Sequence, residues 1–333
     1  MKLSVLITTY NLEKYIAETL DSVLMQKTDF EYEIIVGDDG SSDKTQSLVE
    51  EYQKKYPNKI SMYVMPREEG VAYNRIKRAA ANRLNIASHA LGEYCTFLDG
   101  DDYYTDSDKL QKQVEILDDP ANSDCSVCAH NIFMAYEDGT GFMLSRASKE
   151  RKFTFEQYWK LTYICTHGLL FRNNFKEHMP SGNIAEYFDD NLITFWCFGF
   201  GNMYYIPDNM AAYRQLSGSN WNEKTKFQQY ATNILDYGIE LYEEASDKKR
   251  RRISDIRHFP EYAYIYRHRK ELSKDAVSPS YEYAENDGIT EALGIFDMNT
   301  KGAFGYALRY YKTAVSYYMA KAGRFIEKKL GKY

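Results

Sequence analysis

Phe97-Leu98-Asp99-Gly100-Asp101-Asp102 closes an apolar stretch with three carboxylates. The alternating apolar residues of 94–98 predict a buried strand, and ligands bind at the carboxyl ends of strands in an open α/β sheet. Asp99 and Asp101, one residue apart, suit a divalent cation such as Mg²⁺ or Mn²⁺ that keeps open positions for a substrate's phosphates. A solvated turn before the helix that begins near Ser107 is the alternative, and this stretch alone leaves both open.

The first hundred residues alternate between strand and helix patterns, which predicts a parallel sheet. The ends of its strands are expected to converge on the acidic stretch. Asn11 and either Ser41 or Ser42 are expected to cap the first two helices, leaving backbone N–H groups beside a ligand. The predicted elements are strands at residues 3–9, 33–36 and 60–64 and helices after Asn11, after Ser42 and at residues 71–91.

After Pro120 the pattern changes to strands joined by tight turns, and from Trp221 helical patterns predominate. Asp138-Gly139 is typical of a hairpin turn. We therefore predict an α/β body over residues 1–220 and a helical C-terminal extension over residues 221–333. The other predicted elements are strands at residues 132–136, 142–144, 169–172, 203–206 and 210–213, a helix at 188–196 with acidic residues in its first turn, and helix breaks at Asp247 and Ser278-Pro279-Ser280.

The composition indicates a cytoplasmic protein. Five scattered cysteines fit a reducing compartment better than a disulfide framework, and Cys125 and Cys128 are expected to be core thiols. No run approaches the roughly 18 apolar residues of a membrane span, and the N-terminus has no signal-peptide pattern. The net charge of −6 and the lack of a nucleic-acid-binding signature argue against nucleic acid as a partner.

Residues 301–333 form a basic segment with eight Lys or Arg and one acidic residue, Glu327. Apolar and aromatic residues recur there at helical spacing beside the basic ones, which predicts an amphipathic basic helix. Such a helix either lies peripherally on the inner face of the plasma membrane or docks on the body of the protein, and both remain open. Self-association, for example as a homodimer, is a third interpretation.

Asp38-Asp39-Gly40-Ser41-Ser42-Asp43 directly follows the second predicted strand. The Asp39 carboxylate can accept the imide N–H of a uracil while Gly40 permits close backbone approach. A helix-capping loop is the alternative. The chain has no G-x-G-x-x-G after the first strand and no G-x-x-x-x-G-K-[ST], so dinucleotide oxidoreductases and P-loop phosphotransferases lose their main support.

Four motifs occur in a fixed order within residues 2–220: Thr8-Thr9-Tyr10-Asn11, Asp38 to Thr45, Gly92-Glu93-Tyr94 and Leu98 to Asp102. Together they resemble the family-2 glycosyltransferases of the GT-A fold. The resemblance implies a Rossmann-like nucleotide-sugar-binding sheet. It also implies that Asp99, Gly100 and Asp101 hold the metal and the donor's diphosphate, and that Thr8, Tyr10 and Asp39 surround the nucleobase.

The resemblance extends to an acidic pair at the start of a helix, Asp189-Asp190. It implies that Asp190 is the catalytic base, and the helix dipole would keep that carboxylate ionised for proton abstraction. Simple helix capping is the alternative. His167 matches a family segment that borders the sugar pocket, although a lone histidine is more often structural.

The resemblance places Arg214 at the diphosphate, where a planar fork of donors suits phosphate. Leu216 stands where many relatives carry a histidine metal ligand, so the third protein ligand stays open. Between Gly70 and Gly92 several side chains compete for the family's donor-contacting arginine. Gly70, Arg75 and Arg78 are predicted to contact the nucleotide sugar, with Asn74 and Arg83 as competitors.

These observations predict an inverting, metal-dependent glycosyltransferase, either a hexosyl- or an N-acetylhexosaminyltransferase. The resemblance favours a UDP-sugar donor, a saccharide or lipid-linked saccharide acceptor, and a role in polysaccharide or glycoconjugate assembly. The donor sugar depends on a few hydrogen bonds that sequence does not fix. The alternative is a noncatalytic nucleotide- or glycan-binding module on the same fold, which Leu216 and Asp189 permit.

Overall fold

The computed structural model describes residues 1–145, 147–159, 163–216, 229, 247–260, 263 and 302–329. The chain divides into two compact units, one built from residues 1–154 and 164–216 and the other from residues 155–163 and 217–333. The predicted boundary at residue 220, the helical pattern from Trp221 and the break at Ser278-Pro279-Ser280 lie outside the described residues.

Within its described residues the first unit forms a ten-stranded sheet in the order β3-β2-β1-β4-β9-β6-β10-β5, with β7 on β6 and β8 on β10. β1, β2, β3 and β4 are parallel, whereas β9 runs antiparallel to both β4 and β6. The strands are β1 Leu3–Thr9, β2 Tyr32–Asp38, β3 Ile60–Val64, β4 Tyr94–Asp99, β5 Tyr103–Tyr104, β6 Cys125–Tyr136, β7 Gly141–Met143, β8 Arg151–Phe153, β9 Leu169–Arg172 and β10 Asn202–Gln215.

Helices connect these strands. The helices of the first unit are α1 Ile16–Leu24, α2 Thr45–Lys55, α3 Arg75–Ala87, α4 Lys109–Asp118, α6 Phe175–His178, α7 Gly182–Glu186 and α8 Asp190–Cys197, while α5 Phe155–Trp159 belongs to the second unit. In the core, apolar side chains of β1, β2 and β4 pack against those of α1 and α4. The burial of these side chains holds the three strands in place.

Three parallel strands end at the same edge, as their apolar sequences predict. β1, β2 and β4 are buried almost throughout, the pattern of strands covered on both faces. In the register of these pairs Thr8 stands beside Asp99, and Thr9 stands beside Asp38. The threonine motif, the Asp38-Asp39 loop and the acidic tip are therefore neighbours, and the predicted α/β fold is confirmed.

The predicted helix caps are wrong. Asn11 adopts a positive φ of 53° and does not begin a helix, because its Oδ1 accepts the N–H of Ser42 at 2.8 Å and ties two loops together. The hydroxyl of Ser41 donates to buried Asp38. The second helix begins after Lys44 without a side-chain cap. These polar side chains therefore bind the loops to each other instead of capping helices.

Two further element predictions need correction. The helix predicted at residues 71–91 is shorter, Arg75–Ala87, because the Asn74 side chain accepts the N–H of Lys77 and starts the helix there. The two short strands predicted at 203–206 and 210–213 form the single strand β10, which accommodates the residues between them through register shifts against β6.

The described part of the second unit is helical. Asp247 caps the helix Lys248–Arg257 by accepting N–H groups of Lys249 and Arg250, and the C-terminal helix is Gly302–Lys329. The rings of Phe259 and Tyr317 lie 5.2 Å apart. In the part of the chain that the structure describes, no helix combines the length and apolar character that a bilayer crossing requires.

Candidate functional site

The acidic tip, residues 99–102, begins at the end of β4. Thr8 Oγ1 donates to Asp99 Oδ1 at 2.8 Å, and the N–H of Gly100 donates to the Thr8 carbonyl at 2.8 Å. A Cβ on Gly100 would lie 3.0 Å from that carbonyl and 3.1 Å from the Thr9 side chain. The chain thus turns tightly against β1, which explains why a glycine separates the two aspartates.

Arg83 lies among the carboxylates of the site. Its Nη2 is 3.1 Å from Asp99 Oδ1, and its side chain is only 12% exposed. Burial disfavours its charge, but Asp99, Asp190 and Asp189 outweigh burial and raise its pKa. Burial likewise works against ionised Asp99, yet Arg83 and the Thr8 hydroxyl hold the pKa of Asp99 below its usual value. One guanidinium therefore links the acidic tip to the acidic pair.

Asp101 and Asp102 have different environments. Burial, followed by the charge of Asp99, raises the pKa of Asp101 to about 6. Asp102 is fully buried, and burial together with its two acidic neighbours raises its pKa well above the usual value. Its Oδ1 accepts the N–H of Arg214 at 2.8 Å. Asp102 therefore turns into the protein, which leaves Asp99 and Asp101 as the two carboxylates predicted to bind a cation.

Arg214 and His167 complete this side of the site. The Arg214 guanidinium donates to the Asp101 carbonyl and to Glu18, and it lies 4.3 Å from the ring centroid of Tyr103. His167 is buried with Nδ1 3.4 Å from Asp102 Oδ2, and burial lowers its pKa to about 4. The imidazole is therefore neutral and supports the tip from within.

The acidic pair stands at the start of α8. Asp189 is the N-cap and accepts the N–H groups of Asn191 and Leu192 at 3.1 and 3.2 Å. Burial and the neighbouring Asp190 raise the pKa of Asp189. Asp190 is the first residue of the helix, and its Oδ1 accepts the hydroxyl hydrogen of Thr166. Asp189 thus does the capping, which leaves Asp190 for another role.

Asp39 is paired with two arginines. Arg78 Nε donates to its Oδ1 at 2.7 Å, and Arg67 donates to its Oδ2 and, through Nε, to its backbone carbonyl at 2.7 Å. The Arg67 guanidinium carbon lies 3.9 Å from the ring centroid of Tyr10. Sequence reasoning missed Arg67, since it lies in a loop without periodicity between β3 and α3.

The remaining predicted residues lie in or beside that loop. Gly70 has a positive φ of 76°, and a Cβ placed there would meet open space, while Arg75 is the exposed first residue of α3. The structure brings Arg83 to the acidic tip and Arg78 to Asp39, so the competing arginines occupy different positions. Whether Gly70 and Arg75 contact a donor remains a prediction.

The acidic tip fits a divalent cation through its oxygen donors. Among the described residues no three His, Cys, Asp or Glu side chains come together as a metal site, in keeping with Leu216 in place of a third ligand. Burial and the neighbouring charge of Asp99 both raise the pKa of Asp101, and a cation between these two carboxylates would offset both effects. Mg²⁺ and Mn²⁺ commonly take their other ligands from water and substrate phosphates. The site suits that arrangement.

The family profile described as Glycosyl transferase family 2 matches residues 4–179. The chain belongs to this family, which confirms the predicted family-2 glycosyltransferase. An uncharacterized protein of Mycobacterium tuberculosis is 31% identical over 221 residues, which cover 66% of this chain and 60% of that protein. This chain therefore spans about 60% of the length of that relative.

Solved structures support the GT-A fold. Staphylococcus aureus TarS residues 1–349 in complex with UDP-GlcNAc match with a TM-score of 0.56 and 22% identity, over 89% of this chain and 80% of that one. A Pyrobaculum calidifontis mannosyltransferase in complex with GDP-Man and Mn²⁺ matches with a TM-score of 0.53 and 16% identity, over 98% and 88%. At these identities the likeness shows the fold, and the predicted fold class is confirmed.

Proposed function

We propose that this protein is an inverting glycosyltransferase that moves a sugar from a nucleoside-diphosphate donor to a saccharide or lipid-linked saccharide hydroxyl. The observation that carries the proposal is the position of Arg83, whose charge interacts with Asp99 at the end of β4 and with Asp190 at the start of α8. A group that could hold a diphosphate and a group that could remove a proton therefore share one site.

Asp190 is the proposed catalytic base. The Thr166 hydroxyl donates to its Oδ1, and the Arg83 charge and the helix N-terminus place positive charge beside it. It would take the proton of the acceptor hydroxyl while that oxygen forms a bond to the anomeric carbon. The bond from this carbon to the diphosphate breaks, and its electron pair leaves with the diphosphate. A single displacement of this kind inverts the anomeric centre.

Asp99 and Asp101 are the proposed protein ligands of Mg²⁺ or Mn²⁺, a cation that supplies charge stabilisation to a leaving diphosphate when bound. Arg214, whose guanidinium lies on the Asp101 carbonyl, places further N–H donors beside the tip. Thr8 and Gly100 fix the position of the Asp99 carboxylate against β1. These contacts hold the acidic tip in one conformation.

A uridine donor is the proposed choice. Its support is the TarS structure in complex with UDP-GlcNAc and the carboxylate of Asp39, which can accept an imide N–H. The mannosyltransferase structure with GDP-Man makes guanosine the competing base, since guanine also carries a ring N–H donor. The sugar is left to experiment because the pocket's specificity depends on a few hydrogen bonds.

A thermal-shift panel of UDP, GDP, dTDP and CMP with Mn²⁺ tests the donor class, since a specific ligand raises the melting temperature by mass action. Hydrolysis of the matching nucleotide sugar then tests catalysis. Asp190→Asn should bind the donor and lose about 10²- to 10⁴-fold in turnover. Exposed Asp208→Asn is the matched control. Near-normal turnover in Asp190→Asn would refute the base assignment, and donor binding without any turnover in the wild type would favour the noncatalytic alternative.

We also propose that the C-terminal helix recruits the protein to the inner face of the plasma membrane. Six of its large apolar side chains are between 56% and 70% exposed, and basic residues accompany them along the helix. Apolar area and positive charge together suit a surface of anionic lipid. The exposed apolar side chains are Tyr311, Val315, Tyr318, Met319, Phe325 and Ile326.

Flotation with vesicles tests this recruitment. The wild type should bind vesicles that contain phosphatidylserine and bind phosphatidylcholine vesicles weakly, and Met319→Glu should reduce the binding by placing a negative charge on the apolar face. Met319→Leu, which keeps that face apolar and the net charge unchanged, is the control. Equal flotation of wild type and Met319→Glu would remove the membrane role, and light scattering of the same samples would reveal self-association instead.

A further inference from the structure

The guanidinium of Arg67 lies against the two residues that the proposed function assigns to the nucleobase. Its central carbon is 3.9 Å from the centroid of the Tyr10 ring. Its Nη2 donates to the Asp39 carboxylate, and its Nε donates to the Asp39 carbonyl at 2.7 Å. A flat group therefore covers Tyr10 while its in-plane N–H groups satisfy Asp39.

A uracil ring would need the same partners. It is flat, it would stack on the exposed Tyr10 ring, and its N3–H would donate to Asp39. The Arg67 guanidinium and a uracil ring cannot occupy this position on Tyr10 and Asp39 at the same time. We propose, building on the proposed function, that Arg67 is a side-chain plug that occupies the nucleobase position and that the base of the donor displaces.

Arg67, rather than Arg78, is the group that leaves. Arg78 belongs to helix α3 and also donates to the Met65 carbonyl at 3.0 Å, so it can remain as the counter-charge of Asp39. Arg67 belongs to the loop between β3 and α3. Its departure breaks contacts to the Asp39 carboxylate and the Tyr10 ring that an incoming base can replace, and one to the Asp39 carbonyl that water can satisfy.

The loop is shaped to hold the plug in place. A Cβ on Gly40 would lie 3.0 Å from Arg67 Cγ and 3.0 Å from the Met65 carbonyl, so glycine at this position makes room for the arginine. The guanidinium carbon also lies 5.4 Å from the Tyr73 ring centroid, and the Tyr73 hydroxyl accepts the N–H of Glu68 at 2.9 Å. Tyr73 thus holds the turn that follows Arg67.

The plug has two consequences for donor binding. The apparent affinity falls by the fraction of molecules whose site is open, so removing the plug should tighten binding. A base must also offer an N–H donor to Asp39 in exchange for the lost guanidinium. Uracil and guanine carry such a ring donor, whereas the ring N3 of neutral cytosine is an acceptor and would face the carboxylate unfavourably. The Asp39 carboxylate that Arg67 leaves behind therefore disfavours cytidine.

Calorimetric titration of uridine, cytidine, UDP, GDP and pyrophosphate into the full chain tests the proposal. Arg67→Ala should bind uridine and UDP about three- to thirtyfold more tightly than the wild type, as expected when a competing stacking contact is removed. Pyrophosphate affinity should stay unchanged. Arg67→Lys, which keeps the charge but loses the flat fork, should lie between the two. Lys54→Ala, at an exposed lysine of α2, controls for net charge.

The outcomes separate the plug from the proposed function. If Arg67→Ala binds uridine no better than the wild type while UDP still binds, Arg67 is not a plug and the donor site stands. If wild type and variant bind none of the uridine or guanosine nucleotides, both proposals fail. The gain in uridine affinity should also disappear when the Arg67→Ala, Asp39→Asn double variant is compared with Asp39→Asn alone. Melting temperatures of all variants establish that each is folded. A gain that persists in the double variant would overturn the role of Asp39 in the exchange.

Discussion

Replacing Arg83 with methionine would leave three carboxylates without the cation they share. Arg83 is an ion-pair partner of Asp99, and Asp189 and Asp190 also raise its pKa. Methionine keeps an unbranched apolar stem of similar shape and removes only the guanidinium. The change therefore isolates the charge that joins the acidic tip to the start of α8.

The expected loss of stability is large because the pair is mostly shielded from solvent. The side chains of Arg83 and Asp99 are 12% and 30% exposed, and removing one partner of a buried pair typically costs about 3–5 kcal/mol. For a unit of 150–250 residues each kcal/mol shifts the melting temperature by about 2–4 °C, so Arg83→Met should melt roughly 6–20 °C below the wild type. Calorimetry or dye-monitored melting measures this directly.

The loss should also depend on pH. Without Arg83 the folded-state pKa values of the carboxylates rise above their unfolded values. The folded variant then binds more protons than the unfolded chain, so its stability falls as pH rises through that range. The deficit relative to the wild type should therefore be larger at pH 7.5 than at pH 5.

Lys77→Met is the matched control on the same helix. Lys77 pairs with Glu186 at side-chain exposures of 38% and 53%, and exposed pairs of this kind contribute less than about 1 kcal/mol. If Arg83→Met melts within about 2 °C of the wild type at both pH values, a shift below one kcal/mol for a unit of this size, the assignment of Arg83 as the shared cation is wrong.

Three further changes test other parts of the structure. Burial lowers the pKa of Lys109 to about 7, so above that pH the unfolded chain binds one proton more than the folded protein does, and this difference makes the folded protein more stable as pH rises. Lys109→Met should remove about 1 kcal/mol of the increase in unfolding free energy between pH 7.5 and 8.5, as measured in urea titrations. An unchanged dependence of the unfolding free energy on pH would contradict this. A Cβ on Gly92 would lie 2.5 Å from the Ser4 nitrogen, so Gly92→Ala should lower the unfolding free energy by about 1–3 kcal/mol. Gly323 lies in a helix with open space where a Cβ would stand, so Gly323→Ala should raise the unfolding free energy by about 0.5–1 kcal/mol. Denaturant midpoints that move in the opposite directions would refute this description of the packing around the two glycines. Asp102 has a strongly raised pKa, so Asp102→Asn should change stability by less than about 1 kcal/mol at pH 7, and a larger loss would show that the buried group is ionised.

Much of the sheet edge follows from local sequence. The apolar runs that became β1, β3 and β4 have the predicted bounds to within one residue, because strands buried on both faces carry a strong apolar signal. Once the strands are parallel, their carboxyl ends share an edge. That Thr8 and Asp99 lie side by side is therefore predictable before any side chain is placed.

The contacts of individual charged residues did not follow from sequence. Arg75, Arg78 and Arg83 occupy one helix, and which of them reaches the acidic tip depends on where Asn74 starts that helix and how it lies on the sheet. Sequence spacing gives neither the start of this helix nor its orientation on the sheet.

Asp102 illustrates a long-range cause of the same kind. It turns inward because β5, which follows it, pairs with β10 and brings the Arg214 backbone to its carboxylate. That pairing joins residues more than a hundred positions apart, as in the hydrogen bond from Arg214 to Asp102. The local pattern of apolar residues and carboxylates therefore does not reveal that Asp102 turns away from Asp99 and Asp101.

Titration calorimetry of UDP with and without Mn²⁺ tests the central claim that the acidic tip holds a donor diphosphate through a divalent cation. Mn²⁺ should raise the affinity of the wild type for UDP at least about tenfold, equivalent to about 1.4 kcal/mol, and leave its affinity for uridine unchanged. Asp101→Asn should lose this enhancement. An Asp101→Asn protein that still gains affinity for UDP from Mn²⁺, or a wild type that binds UDP equally well in chelator, would contradict the account.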